Sequence, residues 1–239
     1  MFFPLKDENP TKRFAYITLL IIIFNCLIGF VYLVMGREFR LLMWYKFGAI
    51  PHEITGGFDV EPKISWWPKT VAPYYALVTS QFLHGSFFHL LSNMVFLWIF
   101  GNNIEDTVGH ARFILFYLLG GIAAALLHIV ISPGSTSPMI GASGAVSAIL
   151  GAYVLKFPRA RVRTLMFIFI FVTIINVPAV AFIGIWIFIQ FLNILPLFNR
   201  FGGPQSNVAW FAHIGGFIFG LAFIKIFEKR EKKKKYRVY

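Results

Sequence analysis

Six stretches of almost unbroken apolar residues, 14–34, 87–103, 111–131, 143–157, 177–195 and 208–227, constrain this chain more than any other feature. A hydrocarbon core about 30 Å thick takes roughly 20 helical residues to cross, and each stretch reaches or approaches that length. Backbone in lipid must satisfy its hydrogen bonds internally, which leaves helices or closed barrels. The runs are continuous rather than short and alternating, so the expected fold is all-α, a polytopic bundle of six transmembrane helices. Composition agrees: 58% of residues are hydrophobic and 13% charged, against about a quarter charged in soluble domains. The expected organisation is one membrane domain over 14–228, between a segment 1–13 and a basic tail 229–239, with a long first loop at about 37–85.

Net charge is +12, a value that invites a nucleic-acid reading. Its distribution points elsewhere. Lys232, Lys233, Lys234 and Lys235 follow directly on an apolar run, where they suit anionic lipid headgroups; no nucleic acid is expected. With residue 1 inside and six crossings, sixteen lysines and arginines fall on one side, among them Lys6, Arg112, Lys156 and Arg163. Six fall on the other: Arg37, Arg40, Lys46, Lys63, Lys69 and Arg200. The positive-inside rule then places both termini in the cytoplasm, in a cell membrane. The single Cys26 allows no disulfide within the chain, and no cleavable leader is evident. Trp66 and Trp67 suit either the headgroup layer or an ordinary surface loop.

The apolar stretch 164–176 is too short for an independent crossing and stops before Pro178. The expectation is an interfacial or re-entrant segment, and the polar residues supply the reason. Inside the spans a short set stands out: His89, Asn93, His128, Ser143, Ser147 and His213. Such groups in a membrane are functional suspects. Ser86 is placed to cap the second span, which sets His89 in its first turn and Asn93 on the same face. Ser143 opens the fourth span, where unpaired N–H groups and the helix dipole favour a developing negative charge. His213 lies about one turn into the sixth, beside Gly216 and Gly220, a spacing that admits a closely packed helix. Each residue alone reads equally well as packing or interhelical hydrogen bonding. Depth separates the alternatives: spans two, four and six run the same way, so all four groups fall in the outer half of the bundle. A seventh crossing at 164–176 would carry His213 to the opposite face. Serine, histidines and an asparagine at one depth match the parts of an acyl-transfer site.

The stretch with His84, His89, Asn93, Gly101, Glu105 and Gly109 resembles the second-span region of the rhomboid family. Gly141-Ala142-Ser143-Gly144 is similar to that family's catalytic serine motif, and Ala212-His213-Ile214-Gly215-Gly216 to its histidine motif. The likeness runs from about residue 75 to 225, with the motifs in family order. It implies an intramembrane serine endopeptidase with Ser143 as nucleophile, His213 as general base, and His89 and Asn93 as oxyanion helpers. It implies substrates with a single span, cut near the extracytoplasmic face, and no cofactor or metal. Two departures stand out. Ser147 occupies the place where many relatives carry an aromatic residue that packs on the histidine, so the His213 ring must be positioned otherwise. A Trp-Arg pair found in some relatives' first loop is absent. No carboxylate is within reach in the spans, so a serine–histidine dyad is expected, with His128 structural. The alternatives are a catalytically silent relative that binds transmembrane helices and, less well supported, a transporter.

Overall fold

A computed structural model of the chain describes residues 2–60, 72–168, 171–195 and 209–229. The chain is mostly helical. Helix α1 (Tyr16–Phe47) is sharply bent: Tyr16–Tyr32 and Val34–Phe47 meet at 109°, and close to the bend Gly36 has a φ of 83° that no other residue type adopts cheaply. After the short α2 (Pro51–Ile54) and α3 (Ala76–Thr79) comes one continuous helix, Phe87–Val108. It comprises α4 (Phe87–Phe96), a π-helical turn at Leu97–Gly101, and α5 (Asn102–Val108). Helices α6 (His110–Ile131), α7 (Ser143–Lys156), α8 (Ala179–Ile194) and α9 (Trp210–Phe227) follow. Phe87–Val108, α6 and α9 are long and apolar enough to cross a membrane, and the bent α1 adds a fourth; α7 and α8 are apolar but shorter.

Two expectations are corrected. The described chain is not wholly α: β1 (Phe2–Asp7), β2 (Arg161–Ile168) and β3 (Phe171–Pro178) form an antiparallel sheet in the order β1-β2-β3. The stretch 164–176, expected as an interfacial or re-entrant segment, lies mostly in the paired strands β2 and β3, with Thr164 opposite Ile175 and Met166 opposite Thr173. Val162 and Thr164 turn inward while Arg161 and Arg163 face out, the alternation of a half-buried strand. Isoleucine, phenylalanine and valine favour strands as readily as lipid. The second correction concerns 37–85, which is no simple loop: its first part is the second half of α1, bound back to residue 139 through an isolated bridge at Ala49. Trp66, Trp67, Arg200 and the four-lysine tail lie outside the described residues.

Helix α7 is the centre of the bundle, buried continuously from Gly144 to Tyr153. Lipid tails are as apolar as leucine, so such helices are held by close backbone packing rather than by expulsion of water. Here small residues permit it. A Cβ at Gly216 of α9 would collide with the Gly144 carbonyl, one at Gly220 with the Ala148 carbonyl, and one at Gly151 with that of Phe217. Gly120 and Gly144 do the same between α6 and α7, against Ala148 and Ala124.

At the other end of α7 a polar network ties the amino-terminal segment to the bundle. The buried Glu105 carboxylate accepts from the N–H groups of Ile17 (3.0 Å) and Thr18 (2.7 Å) and from the Thr18 hydroxyl (2.7 Å). These N–H groups open α1 and have no partner within their own helix, so Glu105 caps α1 from another helix. His110 Nδ1 lies 2.5 Å from the same carboxylate. Asp7, at the end of β1, accepts from Asn103 Nδ2 (2.6 Å) and the Tyr153 hydroxyl (2.7 Å), while burial raises its pKa.

Two outcomes follow from this packing. Glu105→Ala leaves two buried donors and one half-buried donor without their acceptor and should lower unfolding free energy by about 3 kcal/mol, read from the denaturation midpoint in detergent. Gly220→Val, about 10 Å along α9 from His213, should reduce serine-dependent activity at least about tenfold by prising α9 from α7, read in parallel with the unfolding midpoint.

Candidate active site

Gly141 sets the site's geometry. Its φ is 124°, a conformation for glycine, and its N–H donates to the Ser80 carbonyl at 2.9 Å. A side chain there would strike the His89 ring: the Cβ position lies 2.8 Å from His89 Nε2 and 3.7 Å from Ser143 Oγ. The chain then turns through the fully buried Ala142 into α7, whose first residue is Ser143. The first-turn hydrogen bond runs from the Val146 N–H to the Ala142 carbonyl, so the Ser143, Gly144 and Ala145 N–H groups precede it. The hydroxyl of Ser143 thus projects from a helix amino terminus beside open donors.

His213, on α9, places Nε2 2.9 Å from Ser143 Oγ. This contact follows from the α7–α9 packing, since Gly216 lies one turn along α9 from His213 and rests on the Gly144 carbonyl. His213 is buried, with the Trp186 ring 5.7 Å away at 37° and the Trp210 ring 5.8 Å away edge-on. Those two indoles pack on the imidazole from α8 and from α9 itself. Ser147 itself is fully buried and donates its hydroxyl to the Ser143 carbonyl at 2.6 Å.

Ser86 caps α4 as expected, its hydroxyl accepting from the His89 N–H at 3.1 Å. The Gly85 N–H donates to His89 Nδ1 at 3.3 Å. An Nδ1 that accepts leaves the ring proton on Nε2, so His89 presents a donor toward Gly141 and Ser143. Asn93 is buried one turn further in, and its Nδ2 has no hydrogen-bond partner among the described residues. A buried amide donor without a partner calls for an explanation, and here it faces a cavity. That cavity, about 680 Å³, is lined by Ser143, His213, His89 and Asn93, with Trp44, Trp186 and Trp210 among its apolar walls.

All four residues singled out in the sequence therefore line one cavity. His128 does not: its ring lies 6.4 Å from Phe211 and it makes no hydrogen bond to Ser143. His84 packs on His89 with ring centroids 5.2 Å apart, and burial pushes its imidazole down to about 3, which keeps it neutral. Sequence reading missed Gln190. This residue of α8 lies in the same cavity wall, 5% exposed, with Oε1 2.8 Å from His213 Nδ1. The signal was available, since Gln190 and Asn193 are lone amides in a strongly apolar helix. Among the described residues, no group of three His, Cys, Asp or Glu side chains is placed to hold a metal ion.

A hydroxyl bonded to an imidazole, beside free donors at a helix start, is equipped for acyl transfer. Comparison with known proteins narrows the relationship. Residues 72–230 match the family model described as Rhomboid domain. Presenilin-associated rhomboid-like protein, mitochondrial, from Mus musculus is 28% identical over 155 residues, covering 62% of this chain and 37% of that protein. Rhomboid protein 1, mitochondrial, from Saccharomyces cerevisiae is 28% identical over 166 residues, covering 68% of this chain and 44% of its own length. The chain thus spans about two fifths of the length of the curated relatives it matches. The family match takes in Ser143, His213, His89, Asn93 and Gln190 alike: the chain belongs to the rhomboid family.

Proposed function

We propose that this protein is an intramembrane serine endopeptidase that cleaves transmembrane segments of other membrane proteins with a Ser143–His213 dyad. The observation that carries the reading is the 2.9 Å approach of His213 Nε2 to Ser143 Oγ between two helices of a membrane bundle. His213 takes the hydroxyl proton as Oγ attacks the scissile carbonyl, then gives it to the departing amine. The oxyanion is held by the Ser143 N–H, the Asn93 amide and the His89 Nε2–H, donors already in place before the substrate arrives. Hydrolysis of the acyl-enzyme takes a water through the cavity, with His213 again the base. Substrates are single-span proteins, in keeping with a cavity whose walls are largely apolar.

The proposed topology has six crossings, with both termini and the basic tail on the cytoplasmic side of a cell membrane, the tail meeting anionic lipid. The charge asymmetry of the connecting segments supports this sidedness; the two relatives named above are mitochondrial proteins. At 14 residues α7 is only about 21 Å long, shorter than the hydrocarbon core; in the proposed topology its Lys156 end meets the cytoplasmic face and Ser143 lies below the outer one. A serine at that depth needs a route for water, and the cavity over it is the proposed one.

Ser143→Ala should abolish cleavage of a reconstituted single-span substrate, a loss of about 10³-fold or more, with the unfolding midpoint unchanged. Turnover at the wild-type rate would remove the dyad. Absence of cleavage by the wild-type protein across many substrates would leave the silent, helix-binding alternative. Asn93→Ala should lower kcat about 10²- to 10³-fold, as loss of one oxyanion donor does, with little change in KM.

A further inference from the structure

Resting on the dyad reading, we propose that Gln190 is a positioning residue, which fixes the tautomer and ring plane of His213 so that Nε2 is free to accept the Ser143 proton. A glutamine amide has two dissimilar ends, and the helix decides which one faces the histidine. Gln190 Nε2 donates to the Trp186 carbonyl one turn back at 2.9 Å. That contact needs an N–H, so the other end, Oε1, is the one 2.8 Å from His213 Nδ1. A carbonyl oxygen accepts and cannot donate. Nδ1 must therefore carry the ring proton, and a neutral imidazole with Nδ1–H has a bare Nε2. The bare nitrogen is the one 2.9 Å from Ser143 Oγ. Amide, imidazole and hydroxyl form a directed chain, each link oriented by the one before it.

The opposite tautomer has a proton on Nε2 and no lone pair for the serine, so it is an inactive base. In soluble triads a buried carboxylate excludes that form. A carboxylate on α8 would place a charge in the apolar bundle, where charges are costly; an amide does the orienting without one. Trp186 and Gln190 are four residues apart on the same face of α8, so one helix face supplies both the ring packed against His213 and the acceptor at its Nδ1. With Ser147 too small to touch the imidazole from α7, this face of α8 and Trp210 hold the ring.

The test uses the full chain in detergent or lipid with two substitutions. Gln190→Met keeps length and removes the acceptor; Gln190→Glu keeps an acceptor oxygen. Gln190→Met should lower kcat about 10- to 100-fold with KM within about threefold. Gln190→Glu should restore at least about a third of kcat at alkaline pH. Ring ¹⁵N spectra of the wild type, with His213 assigned by its loss in His213→Asn, should show a protonated Nδ1 and a bare Nε2. In Gln190→Met that pattern should mix or invert. Wild-type kcat and an unchanged tautomer in Gln190→Met would overturn the proposal. So would equal loss of activity in both variants with a lowered unfolding midpoint, which marks a packing role alone. Cleavage surviving in Ser143→Ala would strike the dyad, whereas an inactive Ser143→Ala beside a fully active Gln190→Met would strike only Gln190.

Discussion

The close approach of α7 and α9 is the constraint from which the rest of the site follows. Two helices carry one reactive group each, and nothing in the chain between residues 143 and 213 obliges them to meet. What brings them together is the absence of side chains: Gly216 and Gly220 rest on the carbonyls of Gly144 and Ala148, and Gly151 rests on that of Phe217. At larger residues the helix axes would move apart and the serine–histidine contact would open. In lipid this packing replaces the hydrophobic effect as the source of helix association. The same backbone contacts that hold the bundle therefore set the distance between Ser143 and His213. Glu105 acts at the opposite end, binding the first N–H groups of α1 so that this helix can pack there without unpaired donors.

Around the dyad, polar atoms are oriented by neighbours that leave each one a single role. The Gly85 N–H turns His89 into a donor at Nε2, and Gln190 turns His213 into an acceptor at its own Nε2. The two imidazoles thus present opposite hydrogen-bonding faces to one cavity. One is suited to hold an oxyanion and the other to remove a proton. No charged side chain in the spans is needed for either, which suits a site inside a low-dielectric bundle.

Much of this was legible in the sequence. Ser143, His213, His89 and Asn93, which line one cavity, stand out in the sequence because polar residues in apolar runs are few and because depth can be counted along each span. The Ser86 cap and the small-residue face of α9 follow local rules that act within one helix. What escaped depends on contacts between elements. The stretch 164–176 contains residues that suit lipid and strand alike, and only its pairing with residues 2–7 and its own return strand distinguishes them. Beyond residue 34 the apolar run gives way to Gly36, Arg37, Glu38 and Arg40, a pattern that reads as the end of a span and the start of a loop, although the helix continues to Phe47. Gln190 was passed over because an uncharged amide costs less in a span than a charge and so draws less attention. Its meaning appears only when Trp186 orients it and His213 lies opposite.

A direct examination of the central claim is covalent: treat the purified protein with a fluorophosphonate and locate the adduct by mass spectrometry. If the hydroxyl on α7 is activated by the imidazole on α9, the adduct sits on Ser143 and disappears when His213 is replaced by alanine. An adduct on another serine, or one on Ser143 that forms equally fast without His213, would contradict the account.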